Sequence, residues 1–363
     1  MLSHALRSGL ALVTALAFLI AACAPAAPSP GGTSAATPAA QPAASPAAAA
    51  PSAQPVTAAS GALNLYTSSP QPVINSLKAE FERRLPGVQL TIFRAGTEDL
   101  MAKLKAEVEA KAVQADVLLV ADAPTFEQLK QDDLLMPYRS PEAASLLPEL
   151  VDKDGYYCGT KLLSTIVAYN TLQVKSPPAG FHDLLKPDFK GKVALPDPGI
   201  SGAASYNLVI FTNHPAFGWD FYNGLKDNGA VVVNGNPQAI DKIVSGELAA
   251  GMVTDFDTRA AKSKGSPIDY AWPNEGVPII TEPVAITKDA RNAAAARAFV
   301  DYVLSKDGQT WAVGQNYLPG RADVPPPAGV PALKDIKILP ADAQLIMNKR
   351  PEAKQQFAQL FGR

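Results

Sequence analysis

The chain has 363 residues, of which 47% are hydrophobic and 18% charged, and a formal net charge of -2. That length exceeds one small core and suits two lobes of about 100–200 residues each, and the composition excludes a fibrous or wholly disordered protein. The 32 basic residues balance 34 acidic ones without any Lys/Arg block, which speaks against nucleic acid, and two cysteines with three histidines are too few for a His/Cys metal cage or a disulfide framework.

Residues 1–22 read as an export signal. Arg7 supplies positive charge, and Leu10 to Ala22 is an apolar run without a charged residue. It is too short to span a bilayer, which takes about 20 residues, but it fits the core of a signal peptide. The run ends in Ile20-Ala21-Ala22-Cys23, which resembles a bacterial lipobox, so Cys23 is the expected lipid attachment site. Residues 23–60 read as a lipidated tether, since 24–60 are almost all Ala, Pro, Ser, Thr, Gly and Gln and hold eight of the 33 prolines. Such a segment has little to bury. The expected location is therefore extracytoplasmic, on a membrane anchor, in the periplasm or at the outer face. The globular body runs from Gly61 to Arg363, and Cys158, its single thiol, is expected to be buried and inert.

The body opens on a strand through Leu63 and Leu65, followed by Thr67-Ser68-Ser69-Pro70, with Ser69 as the expected cap of a helix. Ile74, Leu77, Phe81 and Leu85 recur at helical spacing, and Pro86-Gly87 stops that helix. Val88, Leu90 and Ile92 alternate as a strand ending at Arg94-Ala95-Gly96-Thr97. Leu100, Leu104 and Val108 mark the next helix, and Asp116 to Val120 a short strand. Further on, Val193 to Pro196 leads into a helix opened by Ser201-Gly202-Ala203. Ala230 to Val233 leads through Gly235-Asn236-Pro237 into a helix towards Val244. Gly251 to Thr254 leads into a helix from Phe256. Strands alternating with helices predict an α/β protein with two mainly parallel sheets, one in each lobe, flanking a cleft. Chain crossings near Thr165–Asn170 and Val277–Val284 divide it into 61–165 plus 279–363 and 166–278.

In open α/β sheets, ligands sit beyond the carboxyl ends of strands, where helix N-termini offer free N–H groups and positive potential. Ser68-Ser69, Gly96-Thr97 and Ser201-Gly202-Ala203 occupy such turns and are the candidate anion-binding residues. Asp122, Asp255, Asp257 and Glu282 fall near strand ends as candidates for an amine or cation, with Asp122, Asp255 and Asp257 taken into the site. Three loop aromatics, Tyr138, Phe256 and Trp272, are candidate walls, and Phe256 is taken into the site with its acidic neighbours. Gly199-Ile200-Ser201-Gly202-Ala203 approaches a nucleophile elbow but ends on alanine, and His182 and His214 are the remaining imidazole bases. A hydrolase using Ser201 is thus the rival from a different class. No P-loop, dinucleotide fingerprint or zinc spacing appears, so neither a cofactor nor a resident metal is predicted.

Several stretches in a characteristic order carry a family resemblance. They are Leu63-Asn64-Leu65-Tyr66-Thr67, Gln114-Ala115-Asp116-Val117 and Ile166-Val167-Ala168-Tyr169-Asn170. Phe189-Lys190-Gly191-Lys192-Val193, Pro196-Asp197-Pro198 and Ser201-Gly202 follow, then Asn274-Glu275-Gly276-Val277-Pro278, Ala298-Phe299-Val300 and Leu318-Pro319. In this order the body resembles a bacterial extracellular solute-binding protein of an ABC importer, in the branch holding ferric-iron, sugar-phosphate, phosphonate and thiamine binders. The resemblance implies a two-lobed periplasmic-binding-protein fold of type II-like form, closure around one ligand, delivery to an ABC permease, no catalysis, and a monomer. In ferric-binding members a tandem tyrosine and a first-loop histidine hold the iron. Those positions fall here on Phe256, Asp257 and Pro70, so iron would need non-tyrosine ligands. Ser201-Gly202 matches the turn that holds anionic groups in phosphate-bearing relatives, which makes a phosphoryl- or phosphonyl-bearing solute the expected ligand.

Overall fold

The computed structural model describes residues 59–362. The export segment, Cys23 and the tether up to residue 58 lie outside the described residues. The expected opening is found as β1 (Gly61–Thr67), α1 (Gln71–Arg84), β2 (Val88–Arg94), α2 (Thr97–Glu109) and β3 (Val117–Leu119). Next come α3 (Ala123–Gln131), β4 (Leu135–Met136), β5 (Cys158–Asn170), β6 (Val193–Pro196), α4 (Gly202–Asn213) and α5 (Gly218–Asp227). The chain continues through β7 (Val231–Val233), α6 (Asn236–Val244), β8 (Ala250–Thr254), α7 (Asp255–Ser263), β9 (Ile268–Ala271) and β10 (Ile279–Thr287). It closes with α8 (Ala293–Leu304), α9 (Lys306–Gly314), β11 (Leu318–Pro319) and α10 (Ala343–Phe361).

The strands form one mixed sheet in the order β2-β1-β3-β10-β5-β8-β6-β7, with β4 beside β10 and both β9 and β11 beside β5. Pairing is parallel at the two ends, in β1–β2, β1–β3, β6–β7 and β6–β8. Through the middle it is antiparallel, in β10–β3, β10–β5 and β5–β8. The two-lobed α/β architecture is the expected one; the continuity of the sheet and its antiparallel centre are refinements. Their cause is β5, buried along all 13 residues. Its first half, from Cys158 to Ser164, pairs with β10, and from Thr165 onwards it pairs with β8. One strand thereby serves both lobes. Because β10 makes the return crossing, it runs against β5.

Each lobe fills its own core. In the first, Ile74, Leu77 and Phe81 of α1 are buried against α8, where Phe81 meets Phe299 edge-to-face at 5.1 Å. In the second, Phe181, Phe211 and Phe217 pack edge-on, with centroids 4.7–6.1 Å apart. Such offset and T-shaped pairs suit the ring quadrupoles. Cys158 is free and buried, and burial pushes its thiol up to about 11, so it is protonated at neutral pH. The last helix behaves differently from α8 and α9: α10 packs on α4 and α5 on one side and on α3 on the other.

Candidate functional site

A cavity of about 470 Å³ opens between the carboxyl ends of the strands. From the first lobe, the β1 end supplies Ser68, Ser69 and Pro70, and the β2 end supplies Arg94, Gly96 and Thr97. From the second, the β6 turn supplies Ser201, Gly202 and Ala203, the β7 turn supplies Asn234 to Gln238, and β8 leads into Phe256 and Asp257. Nine of the eleven candidate residues therefore face one space. The pattern is the one that makes strand ends the ligand side of α/β sheets.

Asp122 and Asp255 do not line the cavity, and each has a structural task. Asp122 is fully buried at φ +146°, where its carboxylate caps α3 by accepting from Thr125 N–H at 3.0 Å and pairs with Arg350 at 2.7 Å. Asp255 is equally buried, accepting from the Ser164 N–H at 2.8 Å and pairing with Arg259 at 2.8 Å. A strand-end carboxylate can turn into the cleft or back onto its own framework, and periodicity does not distinguish these. Of the candidate aromatics, Phe256 lines the cavity. Tyr138 bonds Asp301 at 2.8 Å, and Trp272 packs beside Tyr270.

Ser69 also departs from expectation. It is not the α1 cap; Pro70 stands there without a side-chain cap bond. The Ser69 hydroxyl instead donates to Glu282 at 2.5 Å, and Glu282 pairs with the buried Lys161. Donating to a carboxylate gives a stronger, charge-assisted hydrogen bond than accepting from a neutral helix N–H as a cap would. Above this pair the cavity floor is Phe256 stacked on Tyr317 at 4.0 Å, with Lys161 4.8 Å from the Tyr317 ring centre. Ser201 does cap its helix, accepting from the Ala204 N–H at 3.3 Å, and it receives the Asn236 amide at 3.4 Å. Neither partner is a base. His182 contacts Glu275 and His214 accepts from the Ala216 N–H, and neither lines the cavity.

The lobes meet at two glycines. A Cβ on Gly96 would lie 2.5 Å from the Ile200 carbonyl oxygen, and one on Gly202 would lie 2.6 Å from Thr97 Oγ1. Only glycine allows the α2 and α4 starts to approach so closely. At this junction Thr97 Oγ1 is buried without a hydrogen-bond partner. Buried polar atoms are nearly always satisfied, so this hydroxyl keeps an unused hydrogen-bonding capacity at the junction of the two helix starts.

Charge around the cavity is mixed. Arg94 is exposed, and its Nε donates to the Ser69 carbonyl at 3.3 Å. Asp257 is half-buried and accepts from the Thr254 hydroxyl at 2.7 Å. Burial, then the charges of Asp255 and Glu282, push its carboxyl up to about 7, against the opposing pull of that hydrogen bond and Arg94. Sequence reasoning passed over Arg94, although a cation at a strand end before a Gly-Thr helix start is a usable signal. Tyr317 has no such signal: it reaches the cavity from beyond α9. Among the described residues, no group of three or more His, Cys, Asp or Glu side chains could hold a metal ion, and no helix is long and apolar enough to cross a membrane.

Comparison with known proteins places this geometry. Iron uptake protein A1 of Synechocystis sp. is 25% identical over 295 residues, covering 76% of this chain and 78% of that one. Spermidine/putrescine-binding periplasmic protein 1 of Haemophilus influenzae is 25% identical over 276 residues, covering 69% and 72%. The structure of the periplasmic binding protein AfuA from Actinobacillus pleuropneumoniae, with exogenous fructose-6-phosphate bound, superposes with a TM-score of 0.76. It covers 84% of this chain and 99% of that one at 24% identity, which establishes the shared fold. A family model described as bacterial extracellular solute-binding protein matches residues 76–338. The chain therefore belongs to the bacterial extracellular solute-binding proteins, the substrate-binding components of ABC-type importers.

Proposed function

We propose that the protein captures a small solute bearing a phosphoryl or phosphonyl group by closing its lobes around it, and hands it to an ABC permease. The observation that carries this reading is the buried, unpartnered Thr97 hydroxyl, which shares a cavity with Arg94 and the helix starts of α2 and α4. An anionic oxygen there accepts from Thr97, from the guanidinium and from terminal N–H groups, with each charge-assisted bond contributing about 1.5–3 kcal/mol. Ser68, Ser69, Gly96, Ser201, Gly202 and Ala203 complete this end of the site. Phe256 and Asp257 receive the other end, and Asp122 and Asp255 leave the set. The lobes in this reading are 61–165 plus 279–363 and 166–278, with α10 lying across both. Ser201, lacking a base, binds without turning anything over. The protein acts as a monomer, anchored outside the cytoplasm by acyl chains on Cys23.

Calorimetry with glucose 6-phosphate, inorganic phosphate, spermidine and ferric citrate tests the reading. The organophosphate should bind, and Arg94→Ala should weaken it at least tenfold, or about 1.4 kcal/mol. A best ligand without negative charge, or an unchanged Kd in the variant, overturns it. A cationic ligand is the competing reading because Asp241 and Asp257 also border the cavity. Tight spermidine binding that survives Arg94→Ala would favour that alternative. Ester hydrolysis that disappears in Ser201→Ala would point to the enzyme instead.

A further inference from the structure

A second cavity of about 510 Å³ adjoins the first, and Pro70, Pro237, Asp241, Phe256 and Asp257 border both spaces. Each chamber alone lies within the ~300–1,000 Å³ range of small-molecule sites. The second is lined by Val73 of α1, Ile240 and Val244 of α6, and Ala260 and Ala261 of α7. It has no arginine, and its one lysine, Lys264, is exposed. Polarity therefore changes along the cleft. An arginine and helix N-termini stand at one end, two carboxylates at the junction, and apolar walls with the Gln315 and Asn316 amides at the other.

That sequence of environments selects a ligand class. A plain hydrocarbon tail would cover the half-buried Asp257 carboxylate, beside the exposed Asp241, without giving it a hydrogen bond, which is costly for an acceptor that loses its water. A sugar ring instead offers hydroxyl donors to Asp241 and Asp257 and lays its C–H faces on apolar walls. We propose that the ligand is an elongated phosphorylated glycoside, with its anionic end in the first chamber and a second, uncharged sugar ring against Val73, Val244 and Ala260. This rests on the anionic-group reading above and adds to it a tail subsite.

The test compares glucose 6-phosphate with trehalose 6-phosphate, which carries the same charged group plus a second, uncharged ring. By titration calorimetry on the full-length protein, trehalose 6-phosphate should bind at least tenfold more tightly. Ala260→Trp fills the second chamber from α7 at a residue that does not line the first. It should abolish that advantage and leave glucose 6-phosphate affinity unchanged, which also reports an intact fold. Val73→Trp repeats the experiment from the opposite wall. Equal affinities in the wild type, or a tenfold advantage that survives both substitutions, overturns the tail subsite alone. Binding of neither phosphate overturns the anionic-group reading and the proposal together.

Discussion

Asp257 is the residue whose ionisation the fold changes most usefully. Its carboxyl titrates near 7, whereas an unfolded aspartate titrates near 4. Below about pH 4 both states hold the proton, and Asp257 contributes no pH dependence. Between about 4 and 7 only the unfolded chain releases it, so folding stability falls as pH rises through that window and stays lower above it. Asp257→Asn keeps an acceptor for the Thr254 hydroxyl and removes the titration. Urea unfolding at pH 5 and pH 8 should show the variant gaining stability relative to wild type at the higher pH, on the order of 1–2 kcal/mol. The same difference at both pH values would contradict the upward shift. Ser201→Ala is the neighbouring test: loss of a helix cap alone costs about 1 kcal/mol of stability and leaves Kd for glucose 6-phosphate unchanged. A tenfold weaker Kd adds ligand contact to its capping role.

Two helix starts bring the lobes into contact beside the cavity. The α2 and α4 termini touch through Gly96 against Ile200 and Gly202 against Thr97. Gly202→Ala puts a methyl group 2.6 Å from Thr97 Oγ1 and 2.8 Å from its Cβ, so the two helix starts must part to accommodate it. The expected result is a fall in glucose 6-phosphate affinity of at least tenfold with little change in the melting temperature of the free protein. That pattern separates obstructed closure from damaged folding, because the free protein relieves the clash by opening. A matching loss of thermal stability would place the glycine's role in the core instead. The structure of α4 was legible beforehand, since Ser201 before Gly-Ala-Ala is a cap-and-start pattern. That its first turn touches the first turn of α2 was not, because the two are separated by 104 residues of chain and no local pattern records their meeting.

Across the whole molecule, α10 is a second link between the lobes beside the shared strand β5. Phe357 packs on Tyr222 of α5 with ring centres 5.8 Å apart, while Arg350 and Lys354 pair with Asp122 and Glu98 of the first lobe. Arg350→Ala leaves the fully buried Asp122 carboxylate without its cation. Breaking one side of a buried pair costs about 3–5 kcal/mol, so urea unfolding should move by that order. Arg350→Lys should recover only part, since lysine lacks the fork that reaches both Asp122 and Thr125. An unaffected Arg350→Ala variant would show that the pair is solvated. Anchoring belongs to this scale too. Replacing Cys23 by serine should release the protein from the membrane into the aqueous phase of a detergent partition, whereas identical partitioning of both forms would remove the acyl anchor.

From the sequence alone came the α/β class, the opening strand–helix units and most of the turns that face the cavity. These are local: apolar periods of two and 3.6, proline and glycine stops, and small polar caps are written in adjacent residues. Tertiary structure alone decided which carboxylates face the cavity. Asp255 and Asp257 stand on one helix start, yet Asp255 turns inward to Arg259 and Asp257 turns to the cavity. It alone brought Tyr317 under Phe256, drew Ser69 to Glu282 and laid α10 across both lobes. Each of these is a contact between residues distant in sequence, set by which partner in space gives a buried polar or aromatic group its lowest free energy. That partner becomes available only when the chain has closed on itself.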